Sequence, residues 1–145
     1  MVSIEQRLEY LAWINLRVEY PYPPGSVVFI TQIIDGEIVG AASFNDHRPG
    51  ATIHLGIQSD KTKRFLTRNF IGRVFSYAFL QLKVPIVYAL TECSDTEWTA
   101  AQVRLGGEIV ATAPDWKGPG RDCHLIYYRR EPILSGKYGK AILEA

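Results

Sequence analysis

Apolar positions in the first part of the chain recur at helical spacing and then switch to strand spacing. Ile4, Leu8, Leu11, Ile14 and Val18 step by three and four, which predicts one buried helical face; Ser3 with Gln6 three residues on has the form of a capping box. Tyr20-Pro21-Tyr22-Pro23-Pro24-Gly25 stops that helix, because proline removes a backbone donor and biases its predecessor to extended geometry. Residues 27–34 are rich in β-branched side chains. Asp35-Gly36 then signals a tight hairpin, and residues 37–44 read as the return strand. Residues 45–50 are polar, with a proline and a glycine, and read as a second turn before a third strand over 51–58.

The second half repeats the alternation of periods. A loop over 59–65 carries a run of cations, and a long helix starts near Thr67. On it Phe70, Val74 and Ala78 form one row, with Ile71, Phe75, Phe79 and Leu82 beside it, so a broad stripe is apolar until Pro85. Ile86–Glu92 is nearly continuous apolar sequence and suits a central, doubly covered strand. Ser94 with Glu97 predicts a capped helix running to Leu105, closed by Gly106-Gly107. Strands over 108–113 and 122–129 flank a loop over 115–121, and the tail from Pro132 carries little pattern. Helix, three-strand meander, helix, strand, helix, strand, strand predicts an α/β (α+β) fold: a mixed, mostly antiparallel sheet with helices on both faces.

Length and composition narrow the classes. A chain of 145 residues, 47% hydrophobic and 21% charged, suits one domain over 1–145: an N-terminal helix and Pro-rich connector (1–25), a core (26–131) and a tail (132–145). Sixteen Lys and Arg against 15 Asp and Glu leave a net charge of +1, which argues against nucleic acid or an anionic membrane as the main partner. No apolar run reaches the ~20 residues of a membrane span. The N-terminal segment lacks the basic-then-apolar pattern of a secretory signal. Cys93 and Cys123 lack metal-ligand spacing and suit a reducing, cytoplasmic setting.

Three pieces of sequence, in order, resemble the GNAT superfamily of N-acetyltransferases, and in particular the short GNAT-like proteins of tailed phages. Phe65-Leu66-Thr67-Arg68 followed by Ser76-Tyr77-Ala78-Phe79-Leu80 is similar to the family's donor-binding helix. Asp95 through Leu105-Gly106-Gly107-Glu108 is similar to the segment written N-x-x-A…L-G-F-x-x-E/G. Trp116-Lys117-Gly118-Pro119-Gly120-Arg121-Asp122 with Leu125-Ile126-Tyr127-Tyr128-Arg129-Arg130-Glu131 is similar to the closing hairpin and last strand. The likeness spans residues 27–131. It implies that acyl-coenzyme A, with acetyl-CoA the first choice, is the donor substrate, that no metal is needed, and that an amine is the acceptor. It also implies a gap between 55–58 and 89–92 for the pantetheine arm, held by the backbone of Ile57 and Gln58, with Thr91 and Asp95 across from them. The diphosphate would sit where Lys63, Arg64, Phe65, Leu66, Thr67 and Arg68 enter the helix, near Lys61, since open amides and the helix dipole attract anions there.

The sequence departs from that pattern in several places. The family's R/Q-x-x-G-x-G/A loop is here Thr62-Lys63-Arg64-Phe65-Leu66-Thr67, without glycine. The family's asparagine is Asp95, the position of its general-acid tyrosine falls near Gln102, and its first strand is missing or replaced by the N-terminal helix. His54, whose imidazole titrates near neutrality, and Glu92, at the end of the central strand, are the candidate bases; each also has an ordinary reading, as a core histidine and a strand-end charge. Cys93 precedes a helix start, where a thiol can gain reactivity, although direct attack of an amine on a thioester needs no nucleophile. Two functions remain open: acyl transfer to an amine of a small molecule or protein, and a GNAT-shaped module that grips a protein, for a phage product a host enzyme. The tyrosine- and proline-rich segment 20–25 is a candidate binding ledge or a rigid connector. A second copy of the chain is a further candidate partner.

Overall fold

A computed structural model describes residues 1–145. In chain order the elements are β1 (Val2–Ser3), α1 (Leu8–Asn15), β2 (Val28–Ile34), β3 (Glu37–Arg48), β4 (Thr52–Ser59), α2 (Arg68–Ser76), β5 (Ile86–Glu92), α3 (Thr96–Arg104), β6 (Glu108–Ala113), β7 (Cys123–Arg129), α4 (Arg130–Leu134) and α5 (Gly139–Leu143). The strands form one sheet in the order β1-β2-β3-β4-β5-β7-β6. Only β4 and β5 run parallel; every other neighbouring pair is antiparallel. This is the mixed, mostly antiparallel sheet with helices on both faces that the element order predicts.

Local chemistry explains the connections. Asp35 and Gly36 have φ of 52° and 79°, the left-handed pair that a two-residue hairpin between β2 and β3 requires. A parallel neighbour cannot be reached by a hairpin, so α2 carries the chain across from β4 to β5. Thr67 caps α2 by accepting a hydrogen bond from the Phe70 amide at 3.1 Å.

Strand alternation sorts the side chains into two layers. Ile30, Ala42, Phe44, Leu55 and Val87 face α2, whose Phe70, Ile71, Val74 and Phe75 cover them. Phe29 and Ala41 face α1 and pack beneath Tyr10, Leu11 and Ile14. Phe65 belongs to the first layer: it lies over Gly40, where a Cβ would stand 2.3 Å from the Phe65 Cβ.

Several expectations need correction. Ser3 does not cap a helix; it pairs with Thr31 in a short first strand, so the first strand is present. Helix α1 begins after Arg7, and Ile4 and Leu8 are exposed. Gln6 instead clamps the free edge of β2, its Nε2 donating to the Phe29 carbonyl at 2.7 Å and its Oε1 accepting from the Phe29 amide at 3.0 Å. The stretch read as a turn over 45–50 is mostly strand, since β3 runs on to Arg48 through a bulge. Helix α2 finishes as a π-helical turn over Tyr77–Gln81. The cap of α3 is Asp95, not Ser94: Asp95 Oδ1 accepts from the Trp98 amide at 3.0 Å. The tail forms α4 and α5, whose Ile133 and Ile142 are buried in the α2-side core. Its weak pattern follows from its length, because each helix is too short for a visible period.

Candidate active site

Strands β4 and β5 pair only where Thr52, Ile53 and His54 meet Ile86, Val87 and Tyr88. Beyond His54, β4 stays with β3 and β5 stays with β7, and the two separate. The separation opens a cleft of about 720 Å³ that passes through the sheet. Its walls are the parting strand ends, the start of α3, the connector after α1 and the loop between β6 and β7.

The register decides which peptide groups face the gap. Ala41 stands opposite Gln58, and the Asp60 amide donates to the Val39 carbonyl at 3.1 Å. Alternation therefore turns the peptide groups of Gln58 and Gly56 to β3, and those of Leu55 and Ile57 into the gap. On the other wall the Cys93 amide donates to Asp122 at 2.9 Å, which leaves the groups of Leu90 and Glu92 facing the gap. These groups have no strand partner across the cleft. The peptide group of Ile57 faces the gap, whereas that of Gln58 faces β3 and Gln58 lines the cleft through its side chain. That side chain donates from Nε2 to Ser43 Oγ at 3.0 Å, and Tyr22 shares the same hydroxyl at 3.2 Å.

His54 projects into the cleft on the α1 side. Its Nδ1 lies 2.6 Å from Oδ1 of Asn45, the residue directly opposite it on β3. A carbonyl oxygen accepts, so Nδ1 carries the proton and Nε2 keeps a free lone pair. Burial pushes the imidazole below its usual value of 6.5, against the pull of nearby Asp46. Tyr88 packs its ring 5.1 Å from the imidazole and donates its hydroxyl to Asp46; burial and that bond push the phenol up to about 12.

Glu92 also lines the cleft, but as half of an ion cluster. Arg121 Nη2 donates to it at 2.7 Å and Lys117 Nζ lies 3.7 Å away, while Arg121 Nη1 reaches Glu19 at 2.9 Å. The Arg121 hydrogen bond holds the Glu92 carboxyl below its usual value, which makes it a poor proton acceptor. Gln102 fills the place where the sequence lacked a tyrosine. It is almost fully buried, donating to Thr91 Oγ1 at 2.6 Å and accepting from the Tyr128 hydroxyl at 2.8 Å. Both ends of its amide are engaged in that chain, in which Thr91 is the acceptor.

The cation-rich entry to α2 stands apart from the cleft lining, and three of its cations are engaged. Lys63 pairs with Glu97 of α3, Arg64 pairs with Asp60 at 2.8 Å, and Arg68 donates to the Lys137 carbonyl at 3.3 Å over the Tyr138 ring. A hydrogen bond from the Thr62 hydroxyl, reinforced by Arg64, holds Asp60 down at about 2. Thr67 donates its proton to Gln32 Oε1 at 2.9 Å, so it caps the helix and has no proton for a phosphate. Phe65 is core and Leu66 packs beside it. What stays open is backbone: the amides of Arg68 and Asn69 in the first turn have no intrahelical acceptor.

Sequence reasoning missed Asn45, Arg121, Glu19, Trp98 and Trp116. Counting back along the β3–β4 hairpin from Arg48 and Thr52 would have set Asp46 opposite His54; the bulge between Asn45 and Arg48 shifts the register by one and brings Asn45 there. An ion pair spanning residues 19 and 121 has no sequence signal. No helix is long and apolar enough to cross a membrane, and no three His, Cys, Asp or Glu side chains are grouped to hold a metal ion.

A sheet split between one parallel pair, with a cleft through the split, is the architecture of the GNAT N-acetyltransferase fold, and this chain has it. The solved structures it is similar to include a chimera of spermidine N-acetyltransferase SpeG from Vibrio cholerae and hSSAT (13% identity, 93% of this chain and 98% of that one, TM-score 0.75). They also include the aminoglycoside 6'-N-acetyltransferase from Enterococcus faecium (11% identity, 90% and 97%, TM-score 0.65) and the ribosomal-protein-S5-alanine acetyltransferase from Vibrio fischeri (15% identity, 87% and 70%, TM-score 0.62). No family profile and no curated protein sequence matches the chain.

Proposed function

We propose that this protein transfers an acyl group from acyl-coenzyme A, acetyl-CoA first among the candidates, to an amine. The observation that carries the reading is the split between β4 and β5: two strand edges with unpaired, gap-facing peptide groups and a neutral imidazole in the same cleft. Acyl-coenzyme A supplies an activated thioester carbonyl. The Ile57 amide, directed into the gap, is placed to polarise that carbonyl as charge develops on it. His54 Nε2 takes the proton of the attacking amine, with Asn45 fixing the tautomer. No side chain on α3 is free to protonate the leaving thiolate, so water serves that end.

The donor's diphosphate would meet the open amides of Arg68 and Asn69. Exposed ion pairs such as Lys63–Glu97 and Arg64–Asp60 are each worth about 0–1 kcal/mol, so two phosphates can release the cations at small cost. The engagement of those cations is also what favours a second reading, in which the scaffold grips a protein and does not bind the donor. The discriminating experiment pairs thermal shift with an acetyl-transfer assay. Acetyl-CoA at ~100 times its dissociation constant should add about 2.7 kcal/mol of stability. His54→Gln should keep that shift and lose transfer by about 10²–10⁴-fold. An absent shift at millimolar acetyl-CoA selects the binding module.

A further inference from the structure

Resting on the acyltransferase reading, we infer that the acceptor is a monoamine on an aromatic or apolar body, not a polycation. Two features of the cleft mouth carry this. Tyr20, on the connector after α1, is 79% exposed, and Trp116, on the β6–β7 loop, is 59% exposed; both line the cleft. Large aromatic rings left in water beside a cavity mark a surface that gains by covering them. Arg121 bonds Glu19, next to Tyr20, at 2.9 and 3.1 Å and so links the connector to the loop that carries Trp116. Both rings therefore border the same cleft.

The charges of the entrance point the same way. Glu19 and Glu92 are the carboxylates that a polyamine would need, and Arg121 occupies both while Lys117 adds a further cation against Glu92. Asp95 spends an oxygen on the Trp98 amide. Arg17 and Lys117 line the cleft with Glu19, Glu92 and Asp95, and Arg121, bound to Glu19 and Glu92 from behind the lining, is the third cation, so no net negative field gathers a multiply charged amine. Affinity then comes from ring contact, and the single amine passes inward to His54.

The test is calorimetric titration of the full-length protein, with coenzyme A present, using 2-phenylethylamine and spermidine as probes. Binding is read without turnover, so the result is independent of whether acyl transfer occurs. The expected result is 2-phenylethylamine tighter than spermidine by at least about tenfold. Trp116→Ala and Tyr20→Ala, both at exposed positions, weaken 2-phenylethylamine and leave spermidine unchanged. Arg121→Gln, which frees Glu19 and leaves Glu92 only Lys117, moves the preference toward spermidine. Spermidine binding as tightly as 2-phenylethylamine, no detectable binding of either probe, or ring deletions that weaken both equally or neither, would overturn the inference.

Discussion

Asn45 and His54 act as one unit, because a hydrogen bond decides which imidazole nitrogen faces the cleft. An amide partner fixes the tautomer without adding charge, and burial keeps the ring neutral. Acyl transfer should therefore rise with pH through a single limb set below the ordinary imidazole value. Replacing Asn45 with Asp puts a full negative charge against Nδ1 and favours the imidazolium, so the limb moves to higher pH. A pH–rate profile of Asn45→Asp beside the wild type reads this; superimposable limbs would remove His54 from the proton path. The histidine was visible in the sequence as a polar residue in an apolar strand. Its role was not, because the partner that orients it lies nine residues back, in a stretch that resembles a turn and folds as strand. Glu92 was equally visible and equally ambiguous; only the fold places Arg121 against it.

At the scale of elements, the strands were legible because a half-buried or central strand writes its burial into every second residue or into an unbroken apolar run. Helix α2 was legible for the same reason, with its cap at Thr67 and its apolar stripe over the sheet. The helix ends that failed did so where one short side chain has several uses. Ser3 has capping chemistry but serves a strand, and Asp95 competes with Ser94 one residue earlier. The C-terminal helices left no period, yet α5 packs so closely on α2 that a Cβ at Gly72 would lie 2.5 Å from the Ala141 carbonyl oxygen. Gly72→Val should therefore cost about 1–3 kcal/mol, read by urea unfolding. A neutral result would mean that α5 is not docked as described.

Across the whole molecule, Arg121 ties three distant segments together at the cleft mouth: the connector, the end of β5 and its own loop. Its hydrogen bonds hold both the Glu19 and Glu92 carboxyls below their usual value of 4.5. Carboxylates with depressed folded-state values contribute stability above 4.5 and lose it as pH falls through those lowered values. The melting temperature of Arg121→Ala should fall below that of the wild type at pH 7, with the difference closing as pH falls below 4.5. Parallel curves would mean that the cluster contributes nothing to the fold. The cleft that this cluster frames is also where the donor reading is most exposed to contradiction. An amide-resolved NMR titration with acetyl-CoA tests it most directly. The account predicts shifts concentrated at the gap-facing amides of Leu55, Ile57 and Leu90 and at the first turn of α2, Arg68 and Asn69, with smaller changes at Gly56 and Gln58. Saturating acetyl-CoA that leaves the gap-facing amides in place would contradict it.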